Sequence, residues 1–308
     1  MLNGDRSPAP GSETTLLRVH CTILPSPSAL TSFEDVTITQ LGDVTIAYDD
    51  SGPGRTGTSI LLVHGHPFDR TMWRPQAARL ARDGYRVVVP DLRGYGESPA
   101  AGSKTGLEVF ADDLIRLADH LGIYRFVLGG LSMGGQIVMQ TIARHPERVC
   151  ALLLADTFPG VDTPEARQHR LDTADRIEGE GMAGLAEELL PKMISPKTLK
   201  TRPDVLAHVR EMMSTAPAEG AAAALRGRAE RPDYTEGLTR IKVPTLVAVG
   251  SEDEFTPVTT ARLMHRLVPG STLAVIDGAG HLPNLECEAE FDEALGRFLI
   301  SIAPTEER

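Results

Sequence analysis

Cysteine is scarce in this 308-residue chain, which has only Cys21, Cys150 and Cys287. An odd count with no local pairing motif argues against a disulfide framework. Cys150, beside an apolar strand, reads as a small buried hydrophobe, and Cys287 as a helix residue with no catalytic role. Long apolar runs are also missing. None approaches ~18 residues, so no transmembrane helix is expected. The N-terminus lacks a basic stretch leading into ~7–15 apolar residues, so no signal peptide is expected and the chain reads as cytoplasmic. Positive charge is in deficit: 31 Lys and Arg against 42 Asp and Glu leave a net −11. That balance disfavours nucleic acid and anionic membrane surfaces as partners. No His-x-x-x-His spacing occurs, and His64 and His66 have no third ligand close in sequence, so no metal site is expected.

What the chain does have is a hydrophobic content of 41%, ample for a sizeable core. Residues 1–33 are rich in Pro, Ser and Thr without a sustained period and read as a flexible extension. An antiparallel pair follows, Val36-Thr37-Ile38 and Val44 to Tyr48, turning near Gly42-Asp43. Strands and helices then alternate. Strands over 59–64, 86–90 and 125–131 lead into helices over 70–82, 107–121 and 133–144, and a strand over 149–155 ends the first half. Strands at 245–250 and 272–276 and a helix over 283–300 complete the series. This is an α/β pattern of eight strands, a mostly parallel sheet with helices on both faces and right-handed crossovers. Residues 157–235 break the alternation. Thr163-Pro164-Glu165 and Ser195-Pro196 are helix starts, and no strand pattern appears, so this stretch reads as four short helices forming a cap. The core is then 34–156 with 236–308.

The segment with most chemistry in it is Gly130-Leu131-Ser132-Met133-Gly134. It follows the apolar run Phe126-Val127-Leu128 and precedes an amphipathic stretch, so Ser132 sits where a buried strand turns sharply into a helix. That turn pushes a strained serine hydroxyl out of the sheet, beside the positive end of a helix dipole. Two further strand ends carry candidates. Thr245 to Gly250 runs into Ser251-Glu252-Asp253-Glu254, and Thr272 to Ile276 runs into Asp277-Gly278-Ala279-Gly280-His281. In a parallel sheet such groups converge at one rim. The order nucleophile, acid, histidine lets His281 take the Ser132 proton while a carboxylate orients the imidazole. Spacing alone leaves Glu252, Asp253 and Glu254 open as that carboxylate. Upstream, Ile60 to Val63 ends in His64-Gly65-His66-Pro67. The backbone N–H groups of His66 and Met133 are placed to receive an oxyanion, and the His66 side chain to line the pocket. His64 reads as a loop brace, and Asp91 and Arg93 as loop braces through hydrogen bonds and an ion pair beneath the site.

Taken together, His64-Gly65-His66-Pro67, Asp91 to Ser98, Gly130 to Gly135, Gly250 to Asp253 and Gly278 to His281 resemble the α/β-hydrolase superfamily over roughly residues 35–301. The resemblance implies a catalytic triad of Ser132, His281 and Asp253, and no cofactor. Gly130 to Pro146 with Leu154-Ala155-Asp156-Thr157 is similar to the enol-lactone hydrolases of aromatic degradation, although those depart at His-Gly-His-Pro. Epoxide hydrolases and haloalkane dehalogenases share the His-Gly-x-Pro turn but use an aspartate where Ser132 stands. The resemblance points to a serine hydrolase of a small-molecule ester or lactone. A carbon–carbon bond hydrolase and an acyltransferase or perhydrolase using the same triad are the alternatives. His66, Phe68, Phe158, Met212, Met213 and Leu282 are the expected substrate-binding side chains. Oligomeric state is not readable.

Overall fold

A computed structural model describes residues 16–20 and 36–303. Cys21 and the rest of the expected extension lie outside the described residues. The strands, in chain order, are β1 Leu16–His20, β2 Thr37–Leu41, β3 Val44–Asp50, β4 Ser59–Val63, β5 Arg86–Pro90, β6 Phe126–Leu131, β7 Val149–Ala155, β8 Thr245–Gly250 and β9 Thr272–Asp277. Around them lie α1 Arg74–Arg82, α2 Leu107–His120, α3 Met133–Arg144, α4 Pro164–Glu180, α5 Ala183–Met193, α6 Pro196–Thr201, α7 Pro203–Thr215, α8 Ala218–Arg228, α9 Thr235–Leu238, α10 Val258–Leu267, α11 Pro283–Glu286 and α12 Glu288–Ile302.

One sheet holds all of these strands in the order β1-β9-β8-β7-β6-β4-β5-β3-β2. The pairs from β1 to β5 are parallel, while β3 runs antiparallel to both β5 and β2. The eight expected strands are β2 to β9, and β1 makes a ninth. It lies in the segment read as an extension and pairs in parallel with β9, Leu16 opposite Leu273. That pairing covers the edge that β9 would otherwise leave open.

The parallel strands β4 to β9 are largely buried on both faces, which is why they read as unbroken apolar runs. Along β6, Phe126 and Leu128 face one apolar layer with Ile137 and Leu114, and Val127 and Leu131 face the other with Trp73 and Phe291. The register sets Leu131 beside Ala155 and Ala155 beside Ala248, so β6, β7 and β8 end together at one rim.

Two helical expectations change. The stretch 157–235 holds five helices beginning before residue 230, α4 to α8, rather than four. Proline stands at the first helical position of both α6 and α7, so the two are separate helices, because proline starts a helix but cannot continue one. The helix expected over 283–300 breaks at Cys287, whose backbone leaves the helical region at φ −130°, ψ 60°. No helix among the described residues is long and apolar enough to cross a membrane.

Candidate active site

The sharp turn expected at Ser132 is present. Its backbone sits at φ 57°, ψ −116°, a left-handed conformation that costs on the order of 1–3 kcal/mol in a non-glycine residue. Surrounding contacts hold it there. Its N–H donates to Ala155 O at 2.9 Å, and the Thr157 hydroxyl donates to its carbonyl at 2.7 Å. The flanking glycines leave no room for a side chain. A Cβ on Gly134 would collide with Val63 O and lie 2.7 Å from His64 O, and one on Gly130 would collide with Gly134 and lie 2.8 Å from Gly135 N.

His281 lies beyond β9. Its Nδ1 donates to Asp253 Oδ2 at 2.9 Å. An ionised carboxylate can only accept, so the ring proton sits on Nδ1 and Nε2 is left as an acceptor. Of the three acids in the loop, Glu252 and Glu254 are exposed and Asp253 is buried. Asp253 Oδ1 also accepts from Phe255 N–H at 2.8 Å, which fixes the carboxylate. The histidine loop is anchored by a residue that sequence reading missed. Glu286 accepts from Gly280 N–H at 2.9 Å and Leu282 N–H at 3.2 Å through Oε1, and from Ser195 N–H at 2.7 Å through Oε2. His281 N–H itself donates to Met193 O at 3.0 Å. The loop is therefore tied both to the core and to the inserted helices. No hydrogen bond yet joins Ser132 Oγ to Nε2 of His281; both line one cavity of about 320 Å³.

Asp156, at the end of β7, stands against this pair. One side-chain atom from each of Asp156, Asp253 and His281 lies within 4.8 Å of the others. Asp156 Oδ1 accepts from Gly250 N–H at 2.9 Å. Burial first, and the neighbouring Asp253 charge second, push its carboxyl well above the usual range. Both causes favour its protonated form.

On the opposite side, no hydrogen bond among the described residues uses the N–H of His66 or Met133. The His66 ring is hydrogen-bonded to Tyr95 OH at 2.7 Å. Burial, followed by the charges of Arg228 and Arg170, lowers its pKa well below the usual histidine value and keeps it neutral. His64 braces the loops as expected: its Nδ1 donates to Gly65 O at 2.8 Å, and Leu92 N–H donates to its Nε2 at 3.0 Å. Asp91 accepts from Arg70 and from Glu97 N–H, and Arg93 forms a two-pronged pair with Asp113 at 2.6 and 2.7 Å.

Residues 58–287 match the family described as the alpha/beta hydrolase fold. The chain belongs to that family. It is 28% identical to 3-oxoadipate enol-lactonase 1 of Acinetobacter baylyi, over 89% of this chain and all of the relative. Among solved structures, a thermophilic esterase from Thermogutta terrifontis, with malate bound, is 40% identical with a TM-score of 0.83, covering 87% of this chain and 99% of that one. The enol-lactonase from Burkholderia xenovorans LB400 is 28% identical with a TM-score of 0.79, covering 86% and 100%.

In this α/β hydrolase the expected substrate-binding residues divide. His66 and Phe158 line the cavity with Ser132 and His281. Phe68, Met212, Met213 and Leu282 do not, and instead are sealed in the apolar layer with Trp73 and Phe291. Helix α7 turns both methionines toward that layer, where Val209 and Leu190 pack with them. Arg170, Leu185 and Arg228 from the inserted helices line the cavity in their place. A second cavity, about 580 Å³, lies under Met139, Ile142 and Tyr234 and includes none of the residues around Ser132.

Proposed function

We propose that the protein hydrolyses a small-molecule carboxylic ester or lactone through an acyl-enzyme on Ser132. The observation carrying this reading is the buried His281–Asp253 hydrogen bond at 2.9 Å, set on the same cavity as a serine held at φ 57°. His281 Nε2 accepts the Ser132 proton as Oγ attacks the carbonyl. Asp253 stabilises the imidazolium that forms. The free N–H groups of His66 and Met133 receive the oxyanion, and losing one such donor typically costs ~3–4 kcal/mol of transition-state stabilisation. His281 then returns its proton to the leaving alcohol, activates water, and the acid departs.

The relatives named enol-lactonase and esterase support this chemistry over transfer or carbon–carbon cleavage. Helices α4, α5 and α8 act as a cap in this reading, because they supply cavity side chains over the strand ends. The test is a panel of p-nitrophenyl esters and simple lactones with wild type and Ser132→Ala. Wild type turns over members of the panel and the variant does not. Turnover by a folded Ser132→Ala protein removes the proposal.

A further inference from the structure

The cavity beside Ser132 is lined by charged groups of one sign. Arg170 and Arg228 both face it, and no Asp or Glu does. This is unexpected in a chain of net charge −11.

Arg228 is the unusual one. It ends helix α8 and is 8% exposed. Its Nε donates to Gln136 Oε1 at 2.7 Å. Among the described residues no hydrogen bond or ion pair uses its two terminal nitrogens. The nearby acid is already taken. Asp162 receives Arg170 at 2.9 and 3.1 Å and Arg231 at 2.9 Å on each oxygen. Two guanidinium groups thus share one carboxylate and Arg228 has none, leaving two positive charges in excess. The Phe158 ring offsets part of this, with Arg231 5.0 Å and Arg228 6.0 Å from its centroid.

An unpaired buried cation costs folding free energy unless something compensates it. Here burial and the flanking Arg170 and Arg231 all disfavour the charged form of Arg228. A planar fork with both outer nitrogens free, facing a cavity, matches a carboxylate in shape and charge.

We propose that Arg228 is a carboxylate-binding residue of the substrate site, so that the substrate is an ester or lactone bearing a free carboxylate. This rests on the hydrolase reading above and narrows it to anionic substrates. Arg170, held by Asp162, adds long-range attraction, while Arg228 makes the direct two-pronged contact. The field of both draws an anion into the pocket.

The experiment compares kcat/KM within two matched pairs. One pair is p-nitrophenyl hemiglutarate and p-nitrophenyl pentanoate, with the charge on the acyl side. The other is 3-carboxyphenyl acetate and phenyl acetate, with the charge on the alcohol side. In at least one pair wild type favours the charged member by about tenfold or more, as a charge-assisted contact gives. Arg228→Gln lowers that ratio at least about tenfold, mainly through KM, and Arg228→Lys restores part of it. Equal rates within both pairs for wild type overturn the proposal, whether or not the variants fold. So does an unchanged ratio in Arg228→Gln. Glutarate binding to wild type, followed by calorimetry, separates this from failure of the hydrolase reading. If no ester is turned over, glutarate binding that Arg228→Gln abolishes still supports the carboxylate site, and absence of binding overturns it.

Discussion

His281 Nδ1 lies 2.9 Å from Asp253 Oδ2, with the two side chains 3% and 0% exposed. In that setting the hydrogen bond fixes one imidazole tautomer and one ring orientation. Asp253→Asn keeps the size of the side chain but can present an N–H to the ring, which favours the wrong tautomer. A fall of roughly 10³–10⁴ in kcat is expected near neutral pH. Steady-state kinetics on a good ester, with circular dichroism to verify folding, checks it.

Asp156 touches the same pair yet has a different role. Burial and the Asp253 charge favour its protonated form, which Asn matches in charge. Asp156→Asn is expected to lose less than about tenfold in kcat/KM, against the far larger loss for Asp253→Asn. The same assay decides. Reversed magnitudes would make Asp156 the carboxylate that serves His281.

Much of this site was legible in the sequence because its parts are local. A strand, a sharp turn and a helix around Ser132 can be read from spacing, and so can a histidine on a glycine-rich loop past β9. What spacing cannot decide is burial. Glu252, Asp253 and Glu254 look alike in a sequence, and only the folded loop turns Asp253 inward. Met212 and Met213 sat on a plausible helix face, but a helical period does not say which neighbour covers that face. Arg228 was hidden for a similar reason. An arginine in the last turn of a helix ordinarily complements the dipole in solvent, and nothing in the sequence placed α8 over the cavity. Strand β1 was missed because its signal is five residues long and its partner, β9, is some 250 positions away.

The turn at Ser132 depends on close backbone approach. Gly134→Ala places a methyl against Val63 O and 2.7 Å from His64 O. Neither atom can move without disturbing β4. A loss of more than about 3 kcal/mol in stability, or no folded protein, is expected. Gly179→Ala is the control. That glycine lies in helix α4 with nothing within 4 Å of a Cβ, so a gain of up to ~1 kcal/mol is expected. Denaturant titration of both variants reads the difference.

Asp292, on α12, gives a pH signature. It is 6% exposed, bonds to Gln76 Nε2 at 3.1 Å and lies 3.3 Å from Arg79 Nη1. Burial pushes its carboxyl up to about 6 despite the favourable Arg79 charge. Between the unfolded value of roughly 4 and the folded value, the native state holds a proton that the unfolded chain has released. Stability therefore falls as pH rises through that window and levels off above it. Asp292→Asn carries no such penalty. It is expected to be more stable than wild type by on the order of 2 kcal/mol at pH 7.5 and to show no gain at pH 4, read as melting temperature against pH.

The central claim is that Ser132 is the nucleophile. Its most direct test is peptide mapping by mass spectrometry after treatment with a fluorophosphonate, a reagent that phosphonylates activated serines. Wild type should carry one adduct, on Ser132, with loss of esterase activity in step with labelling. Ser132→Ala should stay unlabelled and inactive. A label on another residue, or labelling and ester turnover that persist in Ser132→Ala, would contradict the account.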